Sequence, residues 1–184
     1  MANLNDYKII FTGPVGAGKT TAIASISDKP PVSTNKLASD FTSRIKSETT
    51  VAMDYGMMNL DDGAVLHLYG TPGQERFNFM WDILITGGIG LVLLIDNRRK
   101  NPFGDLSFYL NAFKKFIEET GVVIGITGMD VKAEPTHREY RNELKRLGLE
   151  VPIFTIDARH KRDIVVMLEA LLFSLVSKEP LTKS

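Results

Sequence analysis

Cysteine is absent from the 184 residues, which excludes disulfides, thiolate metal centres, C-terminal prenylation and palmitoylation. A net charge is absent as well. The 22 basic residues balance the 22 acidic ones, so no long-range field draws the chain to nucleic acid or anionic lipid. Long apolar runs are missing. The longest stretch, Ile83 to Ile95, is broken by Thr86, Gly87, Gly88 and Gly90 and is too short to span a bilayer. The opening Met1-Ala2-Asn3 offers no glycine for myristoylation, and no apolar signal core follows it. The expectation is a cytoplasmic monomer with no direct membrane anchor and no nucleic-acid partner. Histidine is scarce too: His67, His137 and His160 are scattered without ligand spacing, and His67, on a strand, reads as a core or edge residue rather than a catalyst.

What is present is a regular alternation of strand and helix signals. Tyr7–Thr12 reads as a strand and Lys19–Ser27 as a helix. The runs from Thr50 to Met58 and from Ala64 to Tyr69 read as strands, with the hairpin signal Asp62-Gly63 between them. Ile89–Asp96 and Gly121–Thr127 are near-continuous apolar runs, as in strands covered on both faces. Leu106, Leu110, Phe113 and Ile117 recur at helical spacing, as do Ile164, Leu168, Leu171 and Leu175. Arg138–Leu147 is a further helix, stopped near Gly148, and Val151–Ile156 is the last strand. The predicted fold is one α/β domain over 1–184. Its six-stranded sheet is mostly parallel with one antiparallel edge strand, and helices cover both faces. A polar stretch of about 20 residues before Thr50 has no apolar period, which in a compact domain marks a functional or mobile loop.

The most informative segment is Gly13-Pro14-Val15-Gly16-Ala17-Gly18-Lys19-Thr20, which fits G-x-x-x-x-G-K-[ST] between a strand and a helix. That arrangement aims backbone N–H groups and a helix N-terminus at one anion, as in P-loop NTPases. The predicted nucleotide-binding set is Gly13, Val15, Gly16, Ala17, Gly18, Lys19, Thr20 and Thr21, with Lys19 on the outer phosphates and the Thr20 hydroxyl on Mg²⁺. A second motif, Gly70-Thr71-Pro72-Gly73-Gln74-Glu75-Arg76-Phe77, follows the strand that ends at Tyr69. Gly73 has a bare N–H for a γ-phosphate, and Gln74 has the chemistry to orient an attacking water.

These motifs, in this order, resemble those of the Ras-like small GTPases. The Gly-Gln-Glu-Arg-Phe run is similar to Rab-like members, and Pro72 together with the missing aspartate looks like bacterial GTPases of the MglA type. The resemblance implies GTP and GDP as ligands, Mg²⁺ as cofactor and hydrolysis that is slow without an activator. It implies Thr50 as the switch threonine on metal and γ-phosphate, with Thr49 one residue away as the fallback. It implies Gln74, Thr50 and Lys19 as catalytic residues, and Thr127, Asp130 and Ala158 as the guanine site. The implied partners are a protein effector and an activator, of roadblock type if the MglA likeness holds.

Three departures qualify it. Gly70 stands where the family has a metal-supporting aspartate, and sequence alone places no replacement acid. Val15 stands where Ras proteins have glycine and crowds the place of an activator's arginine, which makes Arg44 a candidate arginine in cis. Gly128 replaces the lysine that stacks on the base. Two rival readings remain. One is an ATP-using ATPase or kinase in which Asp96 holds the metal and Arg98 and Arg99 clamp phosphates. The other is a nucleotide-bound adaptor that does not hydrolyse. Met53, Met57 and Met58 are either hairpin packing or an adaptable partner surface, and Phe77 and Trp81 are either core or contact aromatics.

Overall fold

A computed structural model describes residues 6–33 and 54–177, with all their side chains except those of Arg76 and Phe77. The strands are β1 Asp6–Thr12, β2 Val32–Ser33, β3 Asp54–Asn59, β4 Val65–Gly70, β5 Gly90–Asp96, β6 Val122–Thr127 and β7 Ile153–Thr155. The helices are α1 Lys19–Ile26, α2 Trp81–Ile85, α3 Pro102–Ala112, α4 Lys114–Glu119, α5 His137–Arg146 and α6 Lys161–Val176, and a 3₁₀ turn covers Glu75–Met80. Among the described residues the sheet runs β2-β3-β4-β1-β5-β6-β7. The six expected strands are all present, and β3 is the antiparallel one. It is not the outermost strand, because two residues of β2 add to its free edge.

The alternation of side chains along each strand feeds two cores. Ile9 and Phe11 of β1, Val92 and Leu94 of β5, and Leu66 and Leu68 of β4 face one way, onto α1 and α6. Ile10 of β1 and Leu91, Leu93 and Ile95 of β5 face the other way, onto α3, α4 and α5. The strands β5 and β6 are buried along their whole length, which explains their unbroken apolar sequence. The helix expected across Leu106–Ile117 is two segments that meet at Phe113. That residue leaves helical geometry at φ −103°, ψ 13° while its buried ring stacks on Trp81 at 5.0 Å. Trp81 itself is a core residue.

The strand order decides where the site forms. β1 lies between β4 and β5, parallel to both, so the C-terminal ends of all three open into one crevice. The helix that follows β1 packs against β3, where Gly56 permits a close approach: a Cβ there would stand 2.0 Å from Ser27 Oγ and 2.7 Å from Ile23 Cγ2. Gly56→Ala is therefore expected to cost about 1–3 kcal/mol of stability by overpacking. Urea denaturation of the variant checks this, as a lower midpoint at unchanged slope.

Candidate functional site

The phosphate loop leaves β1 at Gly13 and enters α1 at Lys19. Gly13 has φ +138°, and a Cβ there would lie 2.1 Å from the Leu94 carbonyl oxygen, so only glycine passes β5 at this point. Gly18 caps α1 at φ +99° and lies against Ala158. The Lys19 ammonium is buried beneath the loop and donates to the carbonyls of Gly13 at 2.6 Å and Pro14 at 2.8 Å. Desolvation pushes its pKa down to about 8; Asp54 opposes that fall and Arg99 adds to it. At neutral pH the ammonium is still mostly charged, and an incoming phosphate would favour that charge further.

On the far side of the loop, β3 and β4 place Asp54 opposite Gly70. The missing side chain at Gly70 leaves room for the Asp54 carboxylate. A Cβ at that glycine would fall 3.1 Å from Asp54 Cβ and 3.3 Å from Oδ2. The Thr20 hydroxyl donates to that Oδ2 at 2.5 Å. A hydroxyl and a carboxylate on one spot beside the phosphate loop are hard oxygen donors of the kind that suits Mg²⁺. Beyond β4, the Thr71 hydroxyl shares a buried hydrogen bond of 2.8 Å with Thr12, which ties this turn to β1. Gly73 then packs directly on the loop, where a Cβ would come 2.6 Å from Val15 N and 2.8 Å from Lys19 Nζ. The Gly73 carbonyl accepts from the Tyr109 hydroxyl at 3.2 Å, and the Pro72 carbonyl accepts from the Trp81 indole at 3.4 Å. Gln74 is exposed at the start of the 3₁₀ turn, and Val15 is exposed at the loop's tip.

Beside the loop a cleft of about 330 Å³ opens between the ends of β6 and β7, lined by Gly18, Thr21, Thr127, Gly128, Asp130 and Ala158 among others. The Thr127 hydroxyl donates to the Ala17 carbonyl at 3.0 Å, which locks the cleft to the phosphate loop. Asp157 is held ionised well below the usual carboxylate range by hydrogen bonds from the Arg159 guanidinium and backbone, which fixes the turn carrying Ala158. Asp130 stands exposed at the rim. Arg98 also lines the cleft. Its guanidinium is anchored on Asp96 at 2.8 and 2.9 Å and reaches the Gly16 carbonyl at 3.4 Å.

Gly13 to Thr21, Gly73, Thr127, Asp130 and Ala158 thus meet along one continuous crevice. Thr50, Thr49, Arg44 and Met53 lie outside the described residues. The metal role considered for Asp96 does not fit its setting, since that carboxylate is occupied by Arg98, and Arg99 is paired with Asp105. His67 has partners that sequence did not supply: the Tyr55 hydroxyl lies 2.7 Å from Nδ1, and an Asp6 oxygen 3.5 Å from Nε2. Asp54 was missed. Its signal was available, because Asp54 and Gly70 are equidistant from Asp62 at the hairpin turn, and an antiparallel register pairs such residues.

This fold and crevice define a nucleotide-binding P-loop protein related to the Ras-like small GTPases. Within that class the chain belongs to a family described as conserved hypothetical ATP binding protein, which it matches over residues 29–177. It is 26% identical over 161 residues to the Ras-related protein Rab-18-B of Danio rerio, covering 86% of this chain and 72% of that protein. It is 29% identical over 123 residues to the GTP-binding protein ypt4 of Schizosaccharomyces pombe, covering 65% and 50%. It is 28% identical over 93 residues to the uncharacterized protein MJ1339 of Methanocaldococcus jannaschii, covering 50% and 52%. The chain therefore spans about half the length of the last two relatives. Among the described residues no helix is long and apolar enough to cross a membrane.

Two predictions follow from the geometry. Gly70→Asp, which restores the aspartate of the family pattern, is expected to lower stability by about 1–3 kcal/mol, because the new side chain meets Asp54 and brings a second carboxylate against it. Combining it with Asp54→Gly relieves both problems, and thermal unfolding of the two variants checks this. The second concerns Lys19. Its pKa in the free protein is about 8, and phosphate contact raises it, so binding takes up a proton above that pH. Affinity for inorganic tripolyphosphate is expected to fall as pH rises from 7.5 to 9, by up to about tenfold per unit. Calorimetry in buffers of different ionisation enthalpy detects the proton, and Lys19→Met abolishes the uptake.

Proposed function

We propose that this protein is a small GTPase switch that binds GTP with Mg²⁺, hydrolyses it slowly to GDP, and signals to a protein partner through segments 33–50 and 70–79. The observation that carries the choice of nucleotide is the pair Asp130 and Ala158 at one cleft, continuous with the phosphate loop through the Thr127–Ala17 hydrogen bond. A carboxylate accepts from two neighbouring donors, which guanine presents at N1 and N2 and adenine does not; a backbone N–H at residue 158 suits the guanine O6 acceptor. The family description names ATP, and two of the relatives are named as Ras-related or GTP-binding; the donor and acceptor pattern favours GTP.

At the phosphate end Lys19 would neutralise the outer phosphates, and Thr20 with Asp54 would hold Mg²⁺, with Thr50 as a further ligand. The metal would supply charge neutralisation on the phosphates. Asp54 would thereby do from β3 what an aspartate at residue 70 does in the family pattern. Gln74 would orient the attacking water, and Gly73 would carry the γ-phosphate signal into the turn held by Tyr109 and Trp81. Loss of that phosphate would change the contacts of Gly73 and Thr50 together, which supports a switch read by a protein effector and reset with an activator.

Competition binding tests the reading. GTP is expected to bind at least about a hundredfold more tightly than ATP, and Asp130→Ala to remove most of that preference. Single-turnover hydrolysis is expected to slow at least about tenfold in Gln74→Leu with nucleotide affinity kept. ATP preference would overturn the choice of nucleotide, and hydrolysis indifferent to Gln74 would overturn its role.

A further inference from the structure

We infer that Arg98, from the loop after β5, is the base-stacking residue of the nucleotide cleft and takes the place that a side chain at residue 128 would otherwise fill. The geometry is direct. A Cβ built on Gly128 would fall 2.9 Å from both Cγ and Nε of Arg98 and 3.0 Å from its Cδ. The stem of Arg98 therefore occupies the space into which residue 128 would project. Gly128 itself has φ +73°, a backbone state that a side-chain-bearing residue rarely adopts. The two features belong together: a glycine that turns left-handed, and an arginine stem laid over it.

The head group of Arg98 is fixed at three points. Asp96, whose side chain is 8% exposed, accepts from Nε at 2.8 Å and from Nη2 at 2.9 Å, and also from the Arg98 backbone N–H at 3.0 Å. Nη2 also reaches the Gly16 carbonyl of the phosphate loop at 3.4 Å. An arginine tethered in this way loses little further rotamer freedom when a ligand arrives. Arg98 lines the cleft between the phosphate loop and the ends of β6 and β7, and neither Thr20 nor Asp54 is among the residues that line it. A planar cation there offers a stacking surface to an aromatic base, and it does so for any purine. Asp130 selects the base and Arg98 holds it; Asp96 is a positioning residue for Arg98.

The inference rests on the base cleft of the proposed function but not on the choice of guanine, and the experiment separates the two. Affinities for GDP, ADP and inorganic tripolyphosphate are measured on the full chain and on Arg98→Ala, Arg98→Met and Asp130→Ala. Arg98→Ala is expected to weaken GDP and ADP by a similar factor, roughly tenfold, which leaves their ratio intact. Tripolyphosphate, which has no base, is expected to stay within about twofold. Asp130→Ala instead changes the ratio. Unchanged GDP affinity in Arg98→Ala overturns the inference, and so does an equal loss for tripolyphosphate, which would make Arg98 a phosphate clamp. Arg98→Met keeps an apolar stem and is expected to lose less than Arg98→Ala. The double variant Asp96→Asn with Arg98→Ala leaves no buried unpaired carboxylate and is expected to reproduce the same pattern; retention of parental GDP affinity in it overturns the inference equally. An ADP preference in the parent chain defeats the guanine reading alone.

Discussion

The pairing of β1 on both edges is the constraint from which the site follows. Because β4 and β5 run parallel to it in fixed register, the phosphate loop, the Thr71–Gly73 turn and the Asp96–Arg99 corner all emerge at the same end of the sheet. The Thr12–Thr71 hydrogen bond and the fit of Gly13 against the Leu94 carbonyl then hold that end together. Loosening β1 would separate groups that are remote in sequence and act only in concert. The apolar core on both faces of the sheet supplies the stiffness, since its close packing resists small displacements.

Electrostatics at the two ends of the crevice are arranged differently. At the phosphate end a buried lysine sits against carbonyls with its charge disfavoured by burial, so that an anion is welcomed because its opposite charge compensates the lost hydration. At the cleft between the ends of β6 and β7 the arginines carry resident partners: Asp96 for Arg98 and Asp157 for Arg159. These pairs order the cleft rather than attract charge. Net attraction toward phosphate is thereby concentrated at one place, although the chain as a whole has no net charge.

Much of the site was legible because its signals are local. The phosphate loop is contiguous from Gly13 to Thr20, and the strand before it and helix after it follow from short-range periodicity. The Thr127–Asp130 and Asp157–Arg159 turns are each short segments after an apolar strand. What escaped depends on juxtaposition across strands. Asp54 lies 16 residues before Gly70, and its relation to Thr20 exists only once β3 pairs with β4 beside α1. Arg98 is read in sequence as one of two adjacent arginines, and only its place over Gly128 distinguishes it from Arg99. The break at Phe113 was hidden for a related reason, since the heptad-like spacing continues through it while the ring turns onto Trp81.

Sequence by itself determined the element order, the two-faced burial of the sheet and the presence of a phosphate-cradling loop. Those features come from residue periodicity and from backbone conformations that glycine alone supports. Only the tertiary structure decided which acid stands beside Thr20, which cation lies over the cleft, and that Asp96 is spent on an ion pair. Such choices turn on ångström-scale distances between side chains from different strands, and a side chain omitted at Gly70 or Gly128 has meaning only when the neighbour that fills the space is known.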